Sequence, residues 1–125
     1  MGRLIRTRPQ AAHEMVAALE QGLHLGMLVD QHFSRGVDCE FFGRPVKANP
    51  AVARLARRFD CPVVGARVVR REGGFDVLAE GPFDLPRDAE GLVDVVPATQ
   101  MMLRAIERWV REHPDQYLWF HRRWR

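Results

Sequence analysis

The chain has 125 residues, 46% hydrophobic and 28% charged, which is the balance of a globular protein, so residues 1–125 are expected to form a single domain. No run approaches the roughly 20 apolar residues of a membrane-spanning helix, and the amino-terminal residues lack the pattern of a signal peptide. The formal net charge of +3 permits nucleic acid, anionic lipid or an acidic protein as a partner and selects none of them.

The first part of the chain predicts a helix and then a strand. Pro9 suits a first helical turn, and apolar residues then recur at helical spacing until Gly22. Residues 24–29 form a short apolar run and predict a buried strand that ends at Asp30. Residues 31–47 are interrupted by glycine and predict an irregular connection.

The middle of the chain predicts a second helix and a hairpin. Asn49 and Pro50 are typical of a helix start, and the residues that follow place their apolar side chains on one helical face. Residues 62–69 and 75–79 predict two further strands joined by a turn at residues 73–74.

The last predicted element is a long helix that ends at about Glu112, with Pro97 near its start. Together the elements predict an α/β fold of about three strands with flanking helices and a long C-terminal helix. Three strands are few for a sheet covered by three or four helices, so we expect the domain to be incomplete.

Residues 114–125 alternate aromatic rings with guanidinium groups. Rings offer amphipathic faces, and arginine offers a planar, permanently charged fork that suits carboxylate and phosphate. Such a segment is costly to leave loose in water, so we expect it to be docked on the domain or bound to an anion.

The residue pattern alone contains no complete catalytic constellation. It has no nucleophile elbow, phosphate-binding loop or zinc-ligand spacing, and Cys39 and Cys61 are isolated thiols that fit a reducing environment. Asp30 is the best single candidate, because α/β folds bind ligands at the carboxyl ends of strands. His32 follows it closely, although a turn-forming Asp30 and a packing His32 fit the pattern equally well.

Four sequence blocks then occur in order: residues 26–31 (Gly-Met-Leu-Val-Asp-Gln), 41–45 (Phe-Phe-Gly-Arg-Pro), 53–56 (Ala-Arg-Leu-Ala) and 114–124 (Pro-Asp-Gln-Tyr-Leu-Trp, then His-Arg-Arg-Trp). Together they resemble the C-terminal part of the bacterial lipid A biosynthesis acyltransferases, the lauroyl and myristoyl enzymes of the lysophospholipid-acyltransferase-like superfamily. The resemblance covers essentially the whole chain and implies the C-terminal part of a glycerolipid-acyltransferase-like α/β domain.

This resemblance implies an acyltransferase of lipid A, and hence lipopolysaccharide, biosynthesis at the cytoplasmic face of the bacterial inner membrane. Such enzymes move a fatty acyl chain from acyl carrier protein to a hydroxyl of a phosphorylated glycolipid, without a metal or organic cofactor. Acyl carrier protein, the glycolipid acceptor and the anionic membrane surface are therefore the expected partners. Nucleic acid is not expected, because the positive charge is spread over every segment without a recognised binding motif.

The resemblance also implies where substrates bind. The block after the predicted strand would lie at the acceptor side of the cleft, and the Phe-Phe pair would wall the cleft or an acyl groove. The C-terminal arginines would anchor the terminal segment and neutralise phosphate or carrier-protein charge. The predicted substrate-binding residues are Asp30, Gln31, His32, Arg35, Phe41, Phe42, Arg122 and Arg123.

The catalytic dyad of that family is a histidine followed five residues later by aspartate or glutamate, and no histidine of this chain has such a partner. We therefore predict no catalytic residue here and expect these residues alone to be inactive. On this hypothesis they are a C-terminal fragment that comes from a truncated gene, a mis-assigned start codon or deliberate shortening. The alternative hypothesis is a non-catalytic basic domain that binds anionic membrane, carrier protein or nucleic acid.

Overall fold

A computed structural model describes Gly2 and residues 4–124 of the protein. Along these residues, three helices, four strands and one short 3₁₀ turn follow one another. In chain order they are α1 (Ala11–Glu20), β1 (Val37–Phe41), β2 (Arg44–Ala48), α2 (Ala51–Phe59), β3 (Gly65–Arg71), β4 (Gly74–Glu80), α3 (Val95–Glu112) and the 3₁₀ turn (Pro114–Gln116).

The strands form two separate antiparallel hairpins, one from β1 and β2 and the other from β3 and β4. Helix α3 packs against both β1 and α2 and is therefore the centre of the fold. The predicted α/β class, the long C-terminal helix, both earlier helices and the second hairpin are confirmed.

The predicted strand over residues 24–29 is wrong. These residues are extended, with Leu25, Met27 and Val29 turned inward and Leu28 86% exposed. That alternation is the one expected of strand-like backbone. Among the described residues, however, no backbone hydrogen bond reaches this segment, and a strand requires a partner that apolar composition alone cannot supply.

The predicted irregular connection is also wrong in part, because β1 and β2 lie within it. Their two-residue loop is Phe42 and Gly43, with φ of +51° and +70°, and a loop with positive φ at both residues matches the twist of a hairpin. Phenylalanine rarely adopts that backbone, so the usual Asn-Gly signal was missing from the sequence. The carboxylate of Glu107 on α3 accepts the Phe42 N–H at 2.9 Å and helps to hold the loop in place.

Two apolar clusters form the core. One lies between the first hairpin and α3 and is centred on Phe41 and Leu103, which are 0% and 2% exposed. The other joins α2 to the start of α3 and to the connection before it through Ala56, Leu85 and Ala98. Both clusters include residues of α3, so this helix is packed on two sides.

Gly36 gives a test of the first hairpin. A Cβ at this position would lie 2.2 Å from the carbonyl oxygen of Ala48, so the backbone of β2 would have to move. We expect Gly36→Ala to lower the free energy of unfolding by about 2–3 kcal/mol, measured by urea denaturation. Gly74→Ala is the matched control, because a Cβ there meets no heavy atom within 4 Å. Equal stability of the two variants would contradict this packing.

Candidate functional site

Residues 113–124, called here the terminal segment, fold back onto the loop that follows the extended residues. The hydroxyl of Tyr117 donates to the carbonyl oxygen of Asp30 at 3.5 Å, and Nη1 of Arg123 donates to the carbonyl oxygen of Gln31. These contacts join residues that are 87 and 92 positions apart in the sequence. Of the two expectations for this segment, the structure therefore shows docking on the domain.

An aromatic cluster holds the terminal segment on β1. The Phe41 ring lies at the centre, with ring centroids 4.8 Å from Phe42, 6.1 Å from Tyr117 and 5.7 Å from Trp124. The indole N–H of Trp124 donates to the carbonyl oxygen of Phe41 at 3.2 Å. Offset and edge-to-face rings at these distances attract one another beyond the area that they bury. Arg125, the last residue of the predicted segment, lies outside the described residues.

Arg123 lies beneath this cluster and is only 1% exposed. Its guanidinium carbon is 5.5 Å from the centroid of the Phe41 ring, and its Nε and Nη2 have no hydrogen-bond partner among the described residues. Burial lowers the pKa of Arg123, while Tyr117 and the Asp30 carboxylate act in the opposite direction. A carbonyl oxygen, an aromatic face and a nearby acid thus hold this cation, without a direct ion pair among residues 4–124.

Six of the eight predicted substrate-binding residues make the contacts that join the terminal segment to the rest of the domain. The other two, Arg35 and Arg122, are exposed and have no hydrogen bond or ion pair with other described residues. Of the two arginines predicted to anchor the segment, Arg123 makes the contact. The six are Asp30, Gln31, His32, Phe41, Phe42 and Arg123.

The histidines in this region are used for packing. The backbone N–H of His32 donates to Nε2 of His121 at 3.3 Å. Nδ1 of His32 is buried without a partner in the described part of the chain. No hydrogen bond or ion pair joins a histidine to a carboxylate among the described residues, so the oriented base that acyl transfer needs is not formed by them.

An open apolar groove with a volume of about 610 Å³ lies between the extended residues 24–29, α2 and α3. Its walls include Leu55 of α2 and Ile106 of α3, and Cys61 lies on its side. None of the eight predicted substrate-binding residues lines it. Sequence reasoning missed the groove, because its walls come from separate segments whose apolar faces were interpreted only as core.

A second, shallower depression of about 380 Å³ lies on the other side of α3 and is rich in arginine. Arg111 pairs with Glu107 at 2.7 Å, and Arg108 pairs with Glu80. The pKa of Glu107 is lowered, chiefly by its hydrogen bond from Arg111. Arg104 lines the same depression and has no ion pair among the described residues. The lining thus holds three arginines against two glutamates, a small positive excess that the Arg108–Glu80 pair reduces further.

Comparison with known proteins identifies one family. The sequence profile of a family described as bacterial lipid A biosynthesis acyltransferase matches residues 2–125. No curated protein matches the chain. In the described part of the chain, no helix is long and apolar enough to cross a bilayer. The matched range contains both the docked terminal segment and the apolar groove.

Arg123 gives a test of the docked segment. Arg123→Ala leaves a cavity under Phe41 and an unpaired carbonyl at Gln31, so we expect the free energy of unfolding to fall by about 2–4 kcal/mol. The adjacent Arg122 is exposed, and Arg122→Ala should change it by no more than about 0.5 kcal/mol. Chemical denaturation of both variants measures the difference. Similar losses in the two would show that Arg123 is not the anchor.

Tyr117 gives a test by pH. Burial raises the pKa of its phenol, and the Asp30 carboxylate raises it further. The folded protein therefore keeps this proton where the unfolded chain, with a tyrosine pKa near 10, loses it. Its contribution to stability is full below about pH 10 and declines as the pH rises further. Tyr117→Phe should make this decline in the free energy of unfolding less steep, as measured by urea denaturation at a series of pH values. An equally steep decline in the two proteins would show that Tyr117 does not cause it.

Proposed function

The chain belongs to the bacterial lipid A biosynthesis acyltransferase family, and from this we propose that it serves the transfer of a fatty acyl chain to a glycolipid of lipopolysaccharide synthesis. The donor is acyl carrier protein, the acceptor is a hydroxyl of a phosphorylated glycolipid, and the place is the cytoplasmic face of the inner membrane. The reaction breaks the thioester C–S bond, forms an ester C–O bond and moves the hydroxyl proton to the departing thiolate.

The apolar groove is the observation that carries the proposal. Its volume of about 610 Å³ lies within the roughly 300–1,000 Å³ typical of ligand sites. Its walls are aliphatic and aromatic, with Cys61 and His24 among its few polar side chains. An acyl chain needs no hydrogen bonds and gains free energy in proportion to the apolar area that it buries. Such a groove therefore suits an acyl tail better than a polar substrate.

The extended residues connect this groove to the docked segment. Val29 lines the groove, and the next two residues, Asp30 and Gln31, offer their carbonyl oxygens to the terminal segment. An acyl chain in the groove would thus lie beside the backbone that leads to the predicted acceptor side. Arg123 fixes that backbone, and the arginine-rich depression on α3 provides a surface for an acidic carrier protein.

In this proposal the groove and the terminal segment bind the substrates, but they do not supply the base that the reaction needs. A base must take the acceptor hydroxyl's proton, usually a histidine oriented by a carboxylate. The 125 residues contain no histidine with an acid five positions later. We therefore propose that they are inactive alone, and acyl transfer by the purified chain above the buffer background would contradict this part.

Cys61 provides a test of the groove that does not require turnover. It is half-buried on the groove wall, whereas Cys39 is buried elsewhere and burial raises its pKa. We expect saturating laurate to slow alkylation of Cys61, followed by peptide mass spectrometry, at least about tenfold by burying the thiol. Acetate, which has the same carboxylate and no chain, should not protect.

A pair of variants sharpens this test. Leu55→Trp places a larger ring in the groove and should raise the laurate concentration needed for protection at least about tenfold. Leu92→Trp is the matched control, because Leu92 is 43% exposed and lies outside the groove. Equal protection by acetate, or identical behaviour of the two variants, would show that the groove does not hold an acyl chain.

A further inference from the structure

The terminal segment carries a tight turn with an apolar tip, called here the aromatic turn (residues 118–121). The His121 N–H donates to the carbonyl oxygen of Leu118 at 3.1 Å and closes it. Leu118, Trp119 and Phe120 are 50%, 46% and 85% exposed. Tight turns usually expose glycine, asparagine, aspartate or serine, so three consecutive large apolar residues at this place need an explanation.

Contacts of the Trp119 side chain hold the aromatic turn in place. The indole N–H of Trp119 donates to the carbonyl oxygen of Pro114 at 2.6 Å, and its ring centroid is 5.0 Å from Tyr117 and 5.9 Å from Phe42. On its other side the chain reaches the buried Arg123 two residues after the turn. The tip is therefore presented on a fixed base, and burying it in a partner would cost little additional ordering.

Two exposed arginines lie on the terminal segment or beside it. Arg122 follows it directly, and Arg44 lies with its guanidinium carbon 6.0 Å from the Trp124 ring. Both are exposed and have no ion pair among the described residues. Arg111 lies over Phe42 at 4.7 Å but is paired with Glu107, and Asp115 is the other nearby carboxylate in the sequence. Asp115 is exposed and has no ion pair among the described residues either, so the two arginines exceed the unpaired carboxylate by one positive charge.

We propose that the aromatic turn docks the protein on an anionic lipid surface, with Phe120 and Trp119 entering the interfacial layer and Arg122 and Arg44 contacting lipid phosphates. Aromatic rings favour the depth of the headgroups, and basic residues near an anionic leaflet add electrostatic attraction. The inference rests on the proposed function only in that an enzyme acting on a glycolipid meets its acceptor at a membrane.

The size of the patch favours lipid over protein. A stable protein interface buries about 800 Å² on each partner and needs complementary shape around its anchors. The aromatic turn offers three exposed side chains, whereas a fluid lipid surface accepts an exposed ring without a preformed pocket. Phe120, the most exposed of the three, is the side chain that would enter deepest.

Vesicle co-sedimentation of the purified chain tests the proposal. The wild-type chain should bind vesicles that contain phosphatidylglycerol and should bind vesicles of phosphatidylcholine alone more weakly. Phe120→Ser should lower the partition coefficient at least about tenfold. Phe75→Ser is the matched control, because Phe75 is 68% exposed on β4 and outside the turn, and it should leave partitioning unchanged.

The charge contribution is tested in the same way. Arg122→Gln should lower partitioning into phosphatidylglycerol vesicles about fivefold, with a smaller effect at high salt. Arg54→Gln is the control, since Arg54 is exposed on α2 and has no ion pair among the described residues. An equal loss in the two variants would mean that general positive charge, and not the aromatic turn, directs binding.

Other partners would give different results. Absence of wild-type binding to the anionic vesicles, or an equal loss in Phe75→Ser, would overturn the proposal. A lipid-free dimer that Phe120→Ser dissociates in sedimentation velocity would assign the turn to a second copy of the chain. Binding of acyl carrier protein that depends on Phe120, without vesicle binding, would assign it to an acidic protein. The laurate protection of Cys61 is measured without vesicles. A failure of vesicle binding would therefore not contradict the proposal that the groove holds an acyl chain.

Discussion

The burial of Arg123 is the interaction on which the arrangement of the candidate site depends. A guanidinium taken from water must regain hydrogen bonds or lie against polarisable surface, and here it meets the carbonyl oxygen of Gln31 and the face of Phe41. Arg123 comes from the end of the chain, whereas Gln31 and Phe41 come from its first third. One side chain thus fixes three distant stretches together, and the rings of Tyr117 and Trp124 pack around the same Phe41.

The extended residues 24–29 connect the contacts of Arg123 to the apolar groove. Their alternate side chains line the apolar groove, and their carboxyl end leads into the loop that the terminal segment holds. Their backbone makes no hydrogen bond with other described backbone. Side-chain packing and the hydrogen bonds to the carbonyl oxygens of Asp30 and Gln31 therefore keep them in place. The contacts of the terminal segment thus lie at the end of the stretch that lines the groove, although the two are far apart in sequence.

Much of the fold was predictable because the relevant signals are local. The spacing of apolar residues gave α1, α2 and α3, and the residues at the ends gave their limits: Asn49 Oδ1 accepts the Ala51 N–H at 3.0 Å where α2 begins, and Gly22, with φ of +72°, follows the end of α1. The first hairpin was missed because its loop places Phe42 at positive φ, and what supports that conformation is Glu107 on α3, sixty-five positions away. Local propensity contains no information about such a partner.

The sequence by itself determined the α/β class, the helices, the second hairpin and the family, because repeating patterns and ordered motifs are properties of the chain alone. It also named six positions that the folded chain brings together around the terminal segment, and their role in substrate binding stays a prediction. Only the tertiary structure decided that Arg123 is buried and Arg122 exposed, although they are neighbours of identical chemistry. It alone also placed the apolar groove, because a groove is formed by the space between segments and the backbone path decides which side chains face it.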